Sequence, residues 1–164
     1  MIQRIQTLFL VAVIALQVAL FYLPLYAIKS ADANGMKELA VLRIDRQEII
    51  SNPQAEGSTV VKNLLPLILN MAIIAFSAFC IFLFKSRHWQ YQLCRFLILV
   101  TLGLIVALTL QIEGINSLYP GDTYSSRFYP AFVFPVLSIV FLFLAGYFIR
   151  RDEKKVRSSS RIRG

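Results

Sequence analysis

The sequence contains one histidine and two cysteines, and its longest apolar runs carry no charge. Each shortage excludes something. A zinc-type site needs several His or Cys ligands at ligand spacing, and His88, Cys80 and Cys94 do not supply that pattern, so no metal is expected. His88 stands beside basic residues in KSRHWQYQ. A turn histidine of that kind reads as inert, although an unperturbed pKa near 6.5 makes imidazole a possible pH sensor. No cysteine falls in segments 24–63 or 113–128, so no disulfide staples them. Cys80 and Cys94 lie near the ends of apolar runs on the side read below as cytoplasmic, where thiols stay reduced. No catalytic, nucleotide-binding or base-reading motif is present. No cofactor is expected, and the basic character is not read as nucleic-acid binding.

What the sequence has in excess is apolar residues: 57% of 164, with a mean hydropathy of +0.65. Soluble domains run at about 45–50%. The excess sits in four runs, approximately 7–23, 64–84, 93–112 and 129–149. A run of about 20 apolar residues in a helix covers the roughly 30 Å hydrocarbon core of a bilayer. The first run exceeds the h-region of a signal peptide, and no clean small-x-small cleavage site follows it, so it reads as a retained span.

The last run settles the orientation. Residues 129–148 carry no charge, and the tail that follows reads IRRDEKKVRSSSRIRG. Basic flanks stay in the cytoplasm. With four spans both termini are then inside, and the charges divide accordingly. Inner segments hold eleven bases (Arg4, Lys85, Arg87, Arg95 and seven in the tail) against two acids, a balance of +9. Outer segments hold six bases against seven acids, a balance of −1. That asymmetry is the positive-inside rule, and the two values account for the +8 of the chain.

The outer segment 24–63 is not featureless. Residues 25–30 and 38–45 are β-type runs, and Asn34-Gly35 between them is a strong hairpin signal, because both turn residues tolerate positive φ. Ala40, Leu42 and Ile44 alternate with Val41, Arg43 and Asp45, the period of a strand with one face covered. Asn52-Pro53 and Glu56-Gly57 mark further turns, and 58–61 could add a strand. Tyr22 and Tyr26, and in the second outer loop Tyr119, Tyr124 and Tyr129, read as interfacial aromatics, with Pro120-Gly121 as a turn and Glu113 placed to pair with Arg127. On the other side Trp89 and Tyr91 fit the inner aromatic belt, and Arg95 can snorkel to the headgroups.

Polar residues inside the spans are few. Gln17, Asn70 and Gln111 read as interhelical contacts, with Gln111 and Thr109 as expected partners of Asn70. Ala15 with Ala19, and Gly103 with Ala107, form small-xxx-small faces. Pro66 sits harmlessly in a first turn. Pro135 predicts a bend in the last span. The tail is expected to extend that helix past Arg150 and Lys155 and to fray at Ser158–Ser160.

The expected fold is therefore a membrane all-α domain with a small β element. Residues 1–164 form a single four-transmembrane-helix bundle with a β-hairpin or sheet in the first extracytoplasmic loop, a claudin-like plan by analogy alone. The opening MIQRIQT and the closing RRDEKKVRSSSRIR resemble the end signatures of a four-span membrane family of Bacteroidota that is a domain of unknown function. The resemblance covers essentially the full length and implies an inner-membrane location and no particular activity.

The leading functional reading is a non-enzymatic accessory or assembly component of a larger inner-membrane complex. Membrane lipid, and a membrane-protein partner or second copy, are its contacts. The candidate contact residues are Arg150, Arg151, Asp152, Glu153, Arg157, Arg161 and Arg163. Mixed acids and bases favour a protein contact over lipid attraction alone. A small transporter or channel subunit is the alternative, opposed by the lack of a charge deep in any span. A lipid or quinone enzyme ranks third, with Glu113, Arg127, Tyr124 and His88 as its scattered candidate groups.

Overall fold

The computed structural model describes residues 3–32, 35–50, 58–83, 87–119 and 124–161. It is mostly helical, with one five-stranded antiparallel sheet. The elements in chain order are α1 (Gln3–Ala19), β1 (Tyr26–Asp32), β2 (Gly35–Leu42), β3 (Arg46–Ile49), β4 (Thr59–Lys62), α2 (Leu64–Phe82), α3 (Arg87–Leu118), β5 (Tyr124–Phe128), a 3-10 turn (Pro130–Val133) and α4 (Phe134–Arg161). α1 packs on α2 and α4, and α3 packs on the same two helices. The sheet receives the C-terminal ends of α1 and α3 and feeds the N-terminal ends of α2 and α4. All four helices therefore abut it at one end of the molecule.

The exposed faces of the helices are apolar, the reverse of a soluble protein's surface, and their few polar side chains point inward. Along α2 the buried positions are Pro66, Asn70, Ile73, Ser77 and Cys80, a three-four repeat that marks one inward stripe. Three of those five residues carry polar atoms. The outward positions Leu65, Ile68, Met71, Phe76, Phe79 and Phe82 are apolar and exposed. α1 follows the same rule: Gln6, Leu10, Val13 and Gln17 face in, while Ile5, Leu8, Val11 and Val18 face out. In water this distribution would forfeit the hydrophobic driving force. In hydrocarbon it is favourable, because the outer surface meets a solvent as apolar as itself and polar groups find partners inside.

Three helical stretches, Leu64–Phe82, His88–Leu118 and Pro130–Arg151, are long and apolar enough to cross a bilayer. The apolar part of α1, Ile5–Ala19, is shorter. The first run thus ends as a helix four residues before the expected boundary at 23. Residues 20–23 turn instead, with Phe21 N–H donating to the Val18 carbonyl and Tyr22 N–H to that of Ala19. Pro24 explains the stop, since the residue before a proline is pushed out of the helical region. The apolar path continues regardless, because Leu20 and Leu25 are fully buried under the sheet. α3, by contrast, has 32 residues and is about 48 Å long, so it overhangs a 30 Å core. Its overhang carries Asn116 to the sheet.

The strand order is β4-β3-β2-β1-β5. The β1–β2 hairpin is present and closes with Asp32 opposite Gly35, although Asn34 itself lies outside the described residues. The register slips between Ile28 and Lys29, so Leu39 is the extra residue of a bulge. Its carbonyl accepts from the Ile50 N–H and, at 3.4 Å, from the Tyr119 hydroxyl. β2 stops at Leu42, three residues before the expected end. Arg43 N–H donates to the Arg46 carbonyl and turns the chain into β3, a strand the composition does not reveal. β5 also lies where only a loop was expected, and it pairs with β1 along its whole length. The turns at Asn52-Pro53, Glu56-Gly57 and Pro120-Gly121 lie outside the described residues.

The tyrosines are corrected as well. Tyr22 is exposed as expected, but Tyr26 is only 1% exposed. Its ring meets Phe128, and its hydroxyl donates to the Asn116 side chain, tying β1 to α3. Tyr119 is also buried, with its ring against Tyr124. Pro135 makes no kink in the helix interior. It occupies the first turn of α4, after the 3-10 turn, where a missing N–H leaves nothing unsatisfied. α4 then runs unbroken through Ser158–Ser160 to Arg161, so the expected fraying is absent.

Candidate functional site

Three clusters hold the chemistry of the described residues. The first is a buried polar chain across α1, α2 and α4. Gln17 Nε2 donates to Ser138 Oγ at 3.0 Å, and Ser138 Oγ donates to the Phe134 carbonyl at 2.9 Å. Asn70 Nδ2 donates to the Gln17 carbonyl at 3.3 Å. All three side chains are fully buried. The expected partner of Asn70 was Gln111; the actual partner is α1 backbone. Gln111 sits half-buried on α3 outside this chain, and Thr109 bonds back to Val106 of its own helix. Depth alone pointed to α3, whereas the inward stripe of α2 at that level faces α1. Ser138 was not anticipated. Its signal was there to find, in an α4 stripe of Pro135, Ser138, Leu142, Ala145 and Ile149 at three-four spacing.

The second cluster lies on the sheet, where Lys29, Arg43 and Arg46 each meet a carboxylate. Lys29 Nζ stands 2.9 Å from Glu38 Oε1, and the Tyr129 hydroxyl donates to the same carboxylate at 2.9 Å. These bonds hold the Glu38 carboxyl below its ordinary range and raise Lys29. Arg46 pairs with Asp45 at 2.8 Å and with Glu48 at 3.8 Å. Arg127 was expected to meet Glu113. No ion pair joins them among the described residues; Glu113 is exposed on α3, and the Arg127 guanidinium lies 5.9 Å from the Tyr129 ring centroid. The carboxylate that feels Arg127 is Glu38. Recruitment of β5 to the sheet draws Arg127 toward β1 and away from the helix end.

The third cluster is at the end far from the sheet. A cleft of about 330 Å³ opens between α3 and α4, with Tyr91, Arg95 and Ile98 on one side and Phe143, Gly146 and Arg150 on the other. The Arg150 guanidinium lies 5.5 Å from the Tyr91 ring centroid and that of Arg95 lies 6.0 Å from it. Gly146 faces the ring: a Cβ there would stand in ordinary contact, 3.7 Å from two Tyr91 ring carbons. Arg95, Arg150 and Arg151 are exposed and form no ion pair among the described residues. Beside the cleft, Cys80 Sγ and Cys94 Sγ are 3.8 Å apart, both buried and unoxidised. Gln90 links the same two helices by donating to the Cys80 carbonyl at 3.2 Å.

Of the tail residues named from sequence, Arg150 enters the cleft and Arg151 is exposed on the next position of α4. Asp152, Glu153, Arg157 and Arg161 continue the α4 backbone, with side chains outside what the structure describes, and Arg163 lies beyond the described residues. The small-xxx-small faces are not packed as expected. Ala15 is exposed, and a Cβ on Gly103 would meet nothing within 4 Å. The close approach falls instead at Gly146, which spacing rules did not single out. The pairing of Arg95 with Arg150 needed the α3–α4 register, which no local pattern encodes.

No curated protein shows a match to the chain. The family model described as Domain of unknown function (DUF4293) matches residues 2–162. With nearly the whole chain covered, the protein belongs to the DUF4293 family.

Proposed function

We propose that this protein is a four-span inner-membrane component with both termini in the cytoplasm, serving as a non-enzymatic accessory or assembly factor for a larger membrane complex. α1 completes the four-helix bundle as the shortest span, its helix followed by buried Leu20 and Leu25. The sheet then lies on the extracytoplasmic face and the arginine cleft on the cytoplasmic face, in agreement with +9 inside and −1 outside. The inverted burial of α1 and α2 supports the membrane placement.

The observation that carries the functional reading is the continuity of α4. One helix runs from the apolar segment through Arg161, so twelve residues from Arg150 onward extend about 18 Å past the membrane boundary. The bases at 150, 154, 157 and 161 recur at helical spacing, interrupted by Asp152 and Glu153. A rigid, mixed-charge rod anchored in a bundle is suited to docking on a cytoplasmic protein, where arginine gives fork-shaped hydrogen bonding that lysine cannot reproduce. Lipid attraction follows charge alone.

The two tail roles separate by residue type. Replacing Arg157 and Arg161 by Lys, or Asp152 and Glu153 by Ala, should weaken recovery of a partner from native membranes while abundance stays constant. If both variants recover the same partner as wild type, the tail is a topogenic and lipid-binding device and the docking role is wrong.

A further inference from the structure

We propose that the cleft between α3 and α4 binds one anionic phospholipid, with its phosphodiester between Arg95 and Arg150 at the edge of Tyr91 and an acyl chain along Ile98 and Phe143. The inference deepens the membrane reading above and rests on it for the surrounding solvent, but not on the accessory role.

Three observations converge. First, two guanidinium groups from different helices lie against one ring, at 5.5 and 6.0 Å. Two positive charges around one ring add their potentials at the cleft, and a cation–π contact at an exposed site returns only about 0.5–1 kcal/mol for each. Neither arginine forms an ion pair among the described residues, whereas Lys29, Arg43 and Arg46 at the sheet all do. A shared anion from outside the chain would answer both charges, and a phosphodiester accepts two charge-assisted bonds at once. Second, the position is right for a headgroup. Arg150 ends the apolar stretch of α4, and Arg95 lies two turns inside the start of α3. The charges therefore sit where hydrocarbon gives way to water, the level at which basic interhelical pockets hold lipid headgroups. Third, the walls are built for a chain and not for a free anion. Past the arginines the cleft is flanked by Ile98 and by Phe143, which is exposed to the surroundings of the bundle. Tyr91 forms a floor facing Gly146, where a Cβ would just touch the ring at 3.7 Å and a larger side chain would fill the space. At about 330 Å³ the cleft is at the small end of ligand sites, roughly 300–1,000 Å³, so it holds a headgroup and the start of one chain.

The test uses the full chain in mild detergent, incubated with phosphatidylglycerol or phosphatidylcholine and read by native mass spectrometry for retained lipid. Wild type should keep one phosphatidylglycerol and shed phosphatidylcholine. Arg95→Gln with Arg150→Gln should weaken retention by about thirtyfold, with two near-surface charges removed. Gly146→Leu fills the space over Tyr91 without altering charge and should also release the lipid; unchanged helical circular dichroism verifies its fold, and Phe143→Ala, which shortens the chain wall, serves as a second variant. Arg151→Gln removes a charge one position from Arg150 but outside the cleft lining and should retain the lipid. Equal loss in that control would show diffuse attraction and overturn the site. Equal retention of both lipids by wild type would overturn it too. If glycerol 3-phosphate alone binds as tightly, the ligand is a soluble phosphate and the lipid assignment is wrong. If a copurifying protein occupies the cleft and Gly146→Leu expels it, the site is a protein dock. Failure of the membrane reading has its own signature, namely fusions at Gly164 and Gly57 reporting one compartment.

Discussion

The two ends of this molecule treat charge in opposite ways. At the sheet, Lys29, Glu38 and Tyr129 close on one another, and Arg43 and Arg46 reach Asp45 and Glu48. At the far end, Arg95 and Arg150 share a tyrosine ring and Arg151 stands exposed, with no ion pair for any of them among the described residues. At the first end Lys29, Arg43 and Arg46 each meet a carboxylate of the chain. At the second, Arg95, Arg150 and Arg151 have no carboxylate partner among the described residues. Between them the helices are apolar on the outside as well as in the core, with their few polar side chains turned inward. A structural cap and a proposed binding end thus differ in whether their arginines find carboxylates among the described residues.

The largest effect should come from undoing the cap at its core. Tyr26→Ala removes a ring that is 1% exposed together with its link to Asn116, and should cost about 3–5 kcal/mol, seen as a much lower melting temperature in detergent. Tyr22→Ala, three-quarters exposed beside it, should melt like wild type. If both melt alike, the sheet is not the element that ties the helix ends.

That contrast was only partly legible in the sequence. Asn34-Gly35 announced the β1–β2 hairpin because turn chemistry is local. β5, with the sequence YSSRF, carries no strand pattern; pairing with β1 makes it a strand, and tertiary context outweighs propensity in sheets. β3 is short and polar, and reads as part of a turn. The placement of Tyr26 failed for the same reason, since an aromatic at a helix end looks interfacial until a sheet covers it. The polar stripe was seen as separate residues, and only helix register joins Gln17 and Asn70 to Ser138. The arginine cleft lay hidden because its two arginines are 55 positions apart and a glycine, the residue with least to show in a pattern, faces the ring between them.

A smaller effect separates the bundle interior from both ends. Gln17→Leu removes the bond to Ser138 but leaves that hydroxyl on the Phe134 carbonyl, so the loss should be about 1 kcal/mol in a denaturation midpoint. Gln111→Leu, outside the chain of bonds, should cost less. Equal losses would show that the Gln17–Ser138 bond contributes no more than any buried amide.

The smallest effect is the acid sensitivity of the cap. Glu38 has a lowered folded-state pKa, so its stabilising contribution is present above the unfolded value of about 4.3 and is lost as the pH falls through the folded value. Melting temperature should drop slightly on acidification below about pH 4, and Glu38→Gln should remove that component. Because the pair is partly exposed, high salt should also blunt it. Arg95→Gln, at the other end, should leave the acid limb unchanged.

The central claim is that the matched end faces out and the unmatched end faces the cytoplasm. Single-cysteine labelling tests it most directly. In a Cys80→Ala, Cys94→Ala background, Val60→Cys on exposed β4 and Arg151→Cys on α4 would each be treated with a membrane-impermeant maleimide in spheroplasts, before and after lysis. The account predicts labelling of Val60→Cys in both conditions and of Arg151→Cys only after lysis. Labelling of both before lysis, or the reverse pattern, would contradict it.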